Sequence, residues 1–321
     1  LSNTASTYGG GVYVGDGGNA TLSGGQIVSN TASSNGGGVY VNGGSATLGG
    51  GQILDNEANN GGGVYLINAG SSVTLSGGQI LDNEANNNGG GVYVSTNGSA
   101  TLEGGQVISN TASSGGGVYV STNGSATLEG GQIISNTASS DGGGVYVYSS
   151  SGTFTQTGSS TITLNTAGSN GGGVYLLSGS AVLSGGQILD NNASQGGGVY
   201  VNTSSATLNA SGGQISSNTA SSDGGGVFIY DGSATLSGGQ IISNTASSGG
   251  GGVFVNFGSA TLSGGQIISN TANNGSGVYV NFGSATLSGG QIASNTASSN
   301  GGGVYVSAGS ATLSGGQILD N

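Results

Sequence analysis

The string SATLSGGQIISNTANNGSGVYV, residues 259–280, decides how this chain folds. In its first five residues, apolar Ala260 and Leu262 alternate with Ser259, Thr261 and Ser263, the two-residue period of a strand with one buried face. A Gly-Gly corner then leads into Gln266-Ile267-Ile268-Ser269, where Ile267 is the expected core residue, and Asn270 closes the strand. The last run is Gly-Val-Tyr-Val. In its equivalent at residues 38–42, Val39 and Val41 share one face while Tyr40 and the polar Asn42 share the other. The valines are therefore expected inside and the aromatic outside.

Nearly the same string recurs along the chain. Its valine marker stands at Val12, Val39, Val64, Val92, Val118, Val145, Val174, Val199, Val227, Val253, Val278 and Val304, at intervals of 25 to 29 residues. Short β-prone runs broken by glycines at that period predict a solenoid in which each copy is one coil. The fold class expected is an all-β parallel β-helix of about twelve coils, with three short strands per coil. Residues 1–321 read as one continuous repeat domain, a window of a longer array, because both ends stop in the same phase of the repeat without divergent capping units. Stability must come from stacking, since one coil buries too little apolar surface to offset the backbone entropy of ordering it.

Composition removes several function classes. The chain has no Lys, Arg, His, Cys, Met, Trp or Pro, and its twelve carboxylates give a net charge of −12. Without cations there is no electrostatic footprint for phosphates, so nucleic acid and anionic membranes are not expected partners. No His or Lys can serve as a base near neutral pH, and the usual zinc and haem ligands are missing. No apolar run approaches the length of a membrane span, so no direct membrane insertion is expected.

Four repeating features are candidates for more than packing. An asparagine closes the Gln-Ile strand at Asn30, Asn56, Asn83, Asn110, Asn136, Asn165, Asn191, Asn218, Asn244, Asn270 and Asn295. Identical amides stacked on successive coils satisfy one another, which predicts an internal asparagine ladder. An alanine two residues later fits a tight inward turn, and the Gly-Gly-Gly before each valine is expected to supply positive φ. The aromatic column comprises Tyr13, Tyr40, Tyr65, Tyr93, Tyr119, Tyr146, Tyr175, Tyr200, Phe228, Phe254, Tyr279 and Tyr305. It is read as a stacking ladder that also offers an interaction stripe, for lateral fibre contact or for sugar rings.

The outward hydroxyl row, with Thr at positions 21, 47, 74, 101, 127, 207, 235, 261, 286 and 312, is interrupted by Val182 and flanked by Glu103 and Glu129. A regular rank of this kind admits an ice-binding reading, although polar β-branched residues suit any solvated strand. Asp55 and Glu57 recur one coil later as Asp82 and Glu84, a weak candidate site for structural calcium; no other cofactor is expected. One coil departs from the pattern. In residues 146–173 the usual string is replaced by GTFTQTGSSTITLN, with Phe154 the expected core residue and Thr161 at the Gln position, read as a longer corner or a local binding site.

Strings close to Ile-Ile-Ser-Asn-Thr-Ala-Ser-Ser-Gly-Gly-Gly-Val-Tyr-Val, such as the variant at residues 241–255 with an added Gly and Phe for Tyr, resemble the paired Phe-x-x-Asn and Gly-Gly-Ala-Ile repeats of polymorphic outer-membrane autotransporters. More broadly they are similar to bacterial right-handed parallel β-helix surface proteins. Ile or Val stands where that family has Phe, and no autotransporter barrel is present in this sequence. The resemblance implies a right-handed helix on a cell surface, often adhesive. The polysaccharide lyases and hydrolases that share the fold rely on Arg, Lys or His, none of which occurs here, so no enzyme is expected. The function expected is an extracellular structural rod that self-associates end to end or laterally into a fibre or sheath. The alternative is a cell-surface adhesin stalk binding glycans, with ice binding third.

Overall fold

In the computed structural model, which describes residues 2–321, the chain winds through twelve coils and contains only β-strands. Each coil carries four strands where the sequence suggested three. One coil shows the set: Thr245–Ala246, Val253–Val255, Ser259–Leu262 and Gln266–Ile268. The added strand is the Thr-Ala pair. Its alanine was expected in a turn, and lies instead buried in a short strand, as Ala220, Ala246 and Ala272 illustrate. Strands of one kind stack in parallel on their equivalents, giving four twelve-stranded sheets that run the length of the molecule.

Register follows side-chain identity. Val64 lies over Val39 and under Val92, Leu75 over Leu48, and Ile80 over Ile53. Every shift by one residue would turn these columns outward, so the alternation that defines each strand also fixes its pairing. The bore is filled by the expected residues: Val39, Val41, Ala260, Leu262 and Ile267 are all buried in one continuous cluster. The position after the core isoleucine is half-buried, as at Ile268.

The three glycines before each valine have three different reasons to be glycine. Only the first has positive φ, for example +69° at Gly36 and +66° at Gly171. A Cβ on the second would press into backbone of the next coil's Thr-Ala strand, 2.6 Å from the Asn192 carbonyl at Gly172. A Cβ on the third would meet the bore, 2.5 Å from Ile53 Cγ2 at Gly38. Ser276 is the exception at the second position; its hydroxyl is buried and donates to the Thr296 carbonyl at 2.7 Å while accepting from the Ala272 N–H at 2.9 Å.

The irregular coil keeps its register. Thr153, Phe154, Thr155 and Gln156 pair with Ser125 to Leu128 below and with Ser180 to Leu183 above, and Thr161 to Thr163 pair with Gln132 to Ile134. Its extra residues lengthen two corners and leave the sheets intact. Phe154 is buried in the bore as expected. Gln156 is also buried there, in a leucine column, and its amide donates to the Ser160 and Gln187 carbonyls.

Candidate functional site

The candidate features are columns, so each is described along the solenoid axis. All eleven asparagines named above form one buried ladder, extended by Asn3 and Asn321. Each Oδ1 accepts from the backbone N–H and the Nδ2 of the preceding coil's asparagine: Asn136 donates both to Asn165 Oδ1, each at 2.9 Å. From Asn56 onward each Nδ2 also reaches back to a backbone carbonyl, as Asn165 does to Ile133 at 3.0 Å. One amide thus satisfies itself and two backbone groups in the dry interior, where an unpaired polar group is costly.

What aims the ladder inward was not read from the sequence. The residue before each asparagine, from Ser29 to Asp320, has φ between +50° and +58° and is never glycine. Ser and Asp tolerate this left-handed conformation only modestly well, and Leu164 poorly. The signal was present as a recurrent Ser/Asp-Asn pair.

The aromatic column departs from expectation. The rings do lie on the face opposite the valines, but that face is not open. Tyr40, Tyr65, Tyr119, Tyr146, Tyr175, Tyr200, Phe228 and Phe254 are buried, Tyr93, Tyr279 and Tyr305 are half-buried, and only Tyr13 is exposed. The chain after each Thr-Ala strand folds back over the rings: Tyr8 stacks on Tyr40 at 4.8 Å, and a Cβ on Gly249 would lie 3.0 Å from the Tyr279 ring. The fourth strand is what a three-stranded reading lacked. The rings stack on one another at 4.6 to 5.4 Å along the whole axis, as a structural ladder should.

Burial, then the neighbouring Tyr65, Tyr8 and Tyr13 phenols, push the Tyr40 hydroxyl up to about 12. At Tyr175 the value is also about 12, with the Asp141 carboxylate adding to burial and the Asn202 amide opposing it. None of these phenols is an acid or base near neutral pH.

Among the carboxylates, Asp55 and Asp82 occupy the left-handed position before Asn56 and Asn83, while Glu57 and Glu84 pair across adjacent Thr-Ala-type strands and are exposed. Desolvation, and then the Asp55 charge, raise the Asp82 pKa. The four stand as two stacked pairs, and no group of three or more metal-ligating side chains occurs among the described residues. The hydroxyl grid also needs one correction. Thr207 pairs with Ser180 and Ser233, so it belongs to the serine column; the threonine column runs through Thr155, Val182 and Asn209 instead.

A second amide column stands at the glutamine that opens each Gln-Ile strand. Gln26, Gln52, Gln79, Gln106 and Gln132 are linked side chain to side chain at 2.5 to 2.8 Å on the outer surface. The series lapses at Thr161, whose Oγ1 is buried without a partner, and resumes from Gln214 to Gln291. A cavity of about 180 Å³, lined by Val12, Leu22, Ile27, Val39 and Ile53 with Thr21 and Thr47, is part of the bore in the first coils.

A family model described as "Right handed beta helix region" matches residues 2–156 and 69–241. That family is broad and contains both enzymes and non-enzymes. No curated protein and no solved structure matches the chain. With most of its length covered by the two overlapping matches, the chain belongs to the right-handed β-helix family.

Proposed function

We propose that this chain is a non-enzymatic, extracellular structural element: a stiff β-helical rod that stacks or bundles into a fibre or sheath. The observation that carries this reading is the continuous parallel stacking of equivalent strands in all four sheets across twelve coils. Any coil presents the same ladder groups above and below, so the fold is its own template for axial growth. Twelve coils at about 4.8 Å each make a rod roughly 55 to 60 Å long. The non-enzymatic part rests on the titratable inventory, which is scattered carboxylates and phenols raised away from neutrality. The cell-surface setting rests on the resemblance to autotransporter passengers.

The ice-binding reading loses support from the break in the threonine column at Val182 and Asn209. Negative-stain electron microscopy of the purified chain tests the proposal. Filaments whose subunits repeat at the rod length support it, while monodisperse particles over a wide concentration range would remove the fibre.

A further inference from the structure

Most corners between the Val-Tyr-Val and Ser-Ala-Thr-Leu strands carry Gly, Ser, Asn or Thr. Three successive coils do not. Tyr230, Phe257 and Phe282 stand there 42%, 51% and 57% exposed in adjacent coils, whereas Tyr148, 48% exposed at the same corner three coils earlier, stands without an aromatic in the coil above it. Phe257 stacks on Phe282 with centroids 5.3 Å apart and planes 8° from parallel, and Tyr230 meets Phe257 edge-on at 5.6 Å. Their backbones are tied coil to coil, Phe257 N–H to the Tyr230 carbonyl and Phe282 N–H to the Asn256 carbonyl, each at 2.7 Å. In the following coil the equivalent residue is exposed Ala308, whose N–H bonds the Asn281 carbonyl; its methyl group is too small to cover the far face of Phe282.

Polar groups line the same corner. Asn281 Nδ2 donates to Asn256 Oδ1 at 2.9 Å, which leaves the side-chain Nδ2 of Asn256 and Oδ1 of Asn281 without partners in the chain. The Tyr230 hydroxyl and the Asp231 carboxylate are exposed beside them.

We infer that this corner, Tyr230 to Ala308, is a binding platform for an uncharged hexopyranose chain. Sugar C–H faces pack on aromatic rings while their hydroxyls pair with amides and carboxylates, and this corner supplies both. An anionic partner is disfavoured, because the chain has no Lys, Arg or His and Asp231 borders the rings. A second copy of the chain is disfavoured by size: three half-exposed rings offer on the order of 300 Å², against about 800 Å² per partner in a stable interface. The inference goes beyond the structural role and stands or falls separately from it.

The test is affinity electrophoresis of the intact chain through gels containing hydroxyethyl cellulose, glucomannan or galactomannan, with polygalacturonate as the anionic comparison. Retardation by at least one neutral polymer, weakened tenfold or more in Phe257→Ser/Phe282→Ser with an unchanged melting temperature, is the expected result. Tyr13→Ser, on an exposed ring at the other end, should bind as the parent does. No retardation by any neutral polymer, equal retardation by polygalacturonate, or full binding by a folded double variant would overturn it. So would sedimentation showing a dimer that the double substitution dissociates. Should the double variant fail to fold, Phe282→Ser alone decides by the same readings.

Discussion

Two amide ladders run the length of this rod, and they are made of the same hydrogen bond. In the asparagine ladder each side chain is buried and holds two backbone groups as well as its neighbours. In the glutamine ladder the amides lie on the outer wall and bond chiefly to one another. The interior ladder has no gap from Asn3 to Asn321, whereas the outer one lapses where Thr161 replaces glutamine. Water can substitute for a bond on the wall and cannot in the bore, so only the inner column is indispensable to the stack.

Removing one inner rung should produce the largest effect. Asn165→Ala strands the Asn136 backbone N–H and Nδ2 and the Ile133 carbonyl, and is expected to cost about 3 to 5 kcal/mol in urea unfolding. A loss no larger than that of an outer rung would break the distinction between the two columns. The stacked rings extend the same argument to high pH. The buried phenols have raised pKa values in the folded chain, about 12 at Tyr40 and Tyr175, against an ordinary 10.0. The unfolded chain therefore loses these protons first, so stability should hold below pH 10 and fall as pH rises towards 12. Phenolate absorbance should lag to match; complete ionisation near pH 10 with the fold intact would contradict the burial.

The turn that aims the inner ladder gives a smaller effect of opposite sign. Leu164 is exposed and held at φ +58°, so Leu164→Gly should raise the unfolding free energy by about 1 kcal/mol. Last comes the outer wall, where Gln240→Ala is expected to cost about 0.5 kcal/mol or less in the same assay.

How far the sequence could be read follows the same division between what repeats in a strand and what depends on a neighbour. The period-two runs around Ala260, Leu262 and Ile267 specify the bore because alternation records burial directly, and the invariant asparagine announces a buried amide because few other roles demand it in every coil. The aromatic column misled because alternation tells which face a side chain takes and nothing of what lies against that face. The Thr-Ala strand that leads into the covering segment is only two residues long in most coils, too short to show a period. The glycine triplet misled similarly: Gly37 and Gly38 are glycine because the next coil's backbone and the bore isoleucine stand in the way, contacts made between residues far apart in sequence. The aromatic corner at Phe257 and Phe282 was hidden among turn residues until stacking brought the rings of adjacent coils together.

The central claim is that coils are held to one another by a dry interior whose polar groups are fully paired. Side-chain amide hydrogen exchange, followed by NMR on selectively labelled protein, tests it most directly. Slow exchange of the Nδ2 protons from Asn110 to Asn270, alongside rapid exchange of the Nε2 protons of Gln106, Gln132, Gln240 and Gln266, is the predicted result. Equal and rapid exchange in both ladders under conditions where the chain remains folded would contradict it.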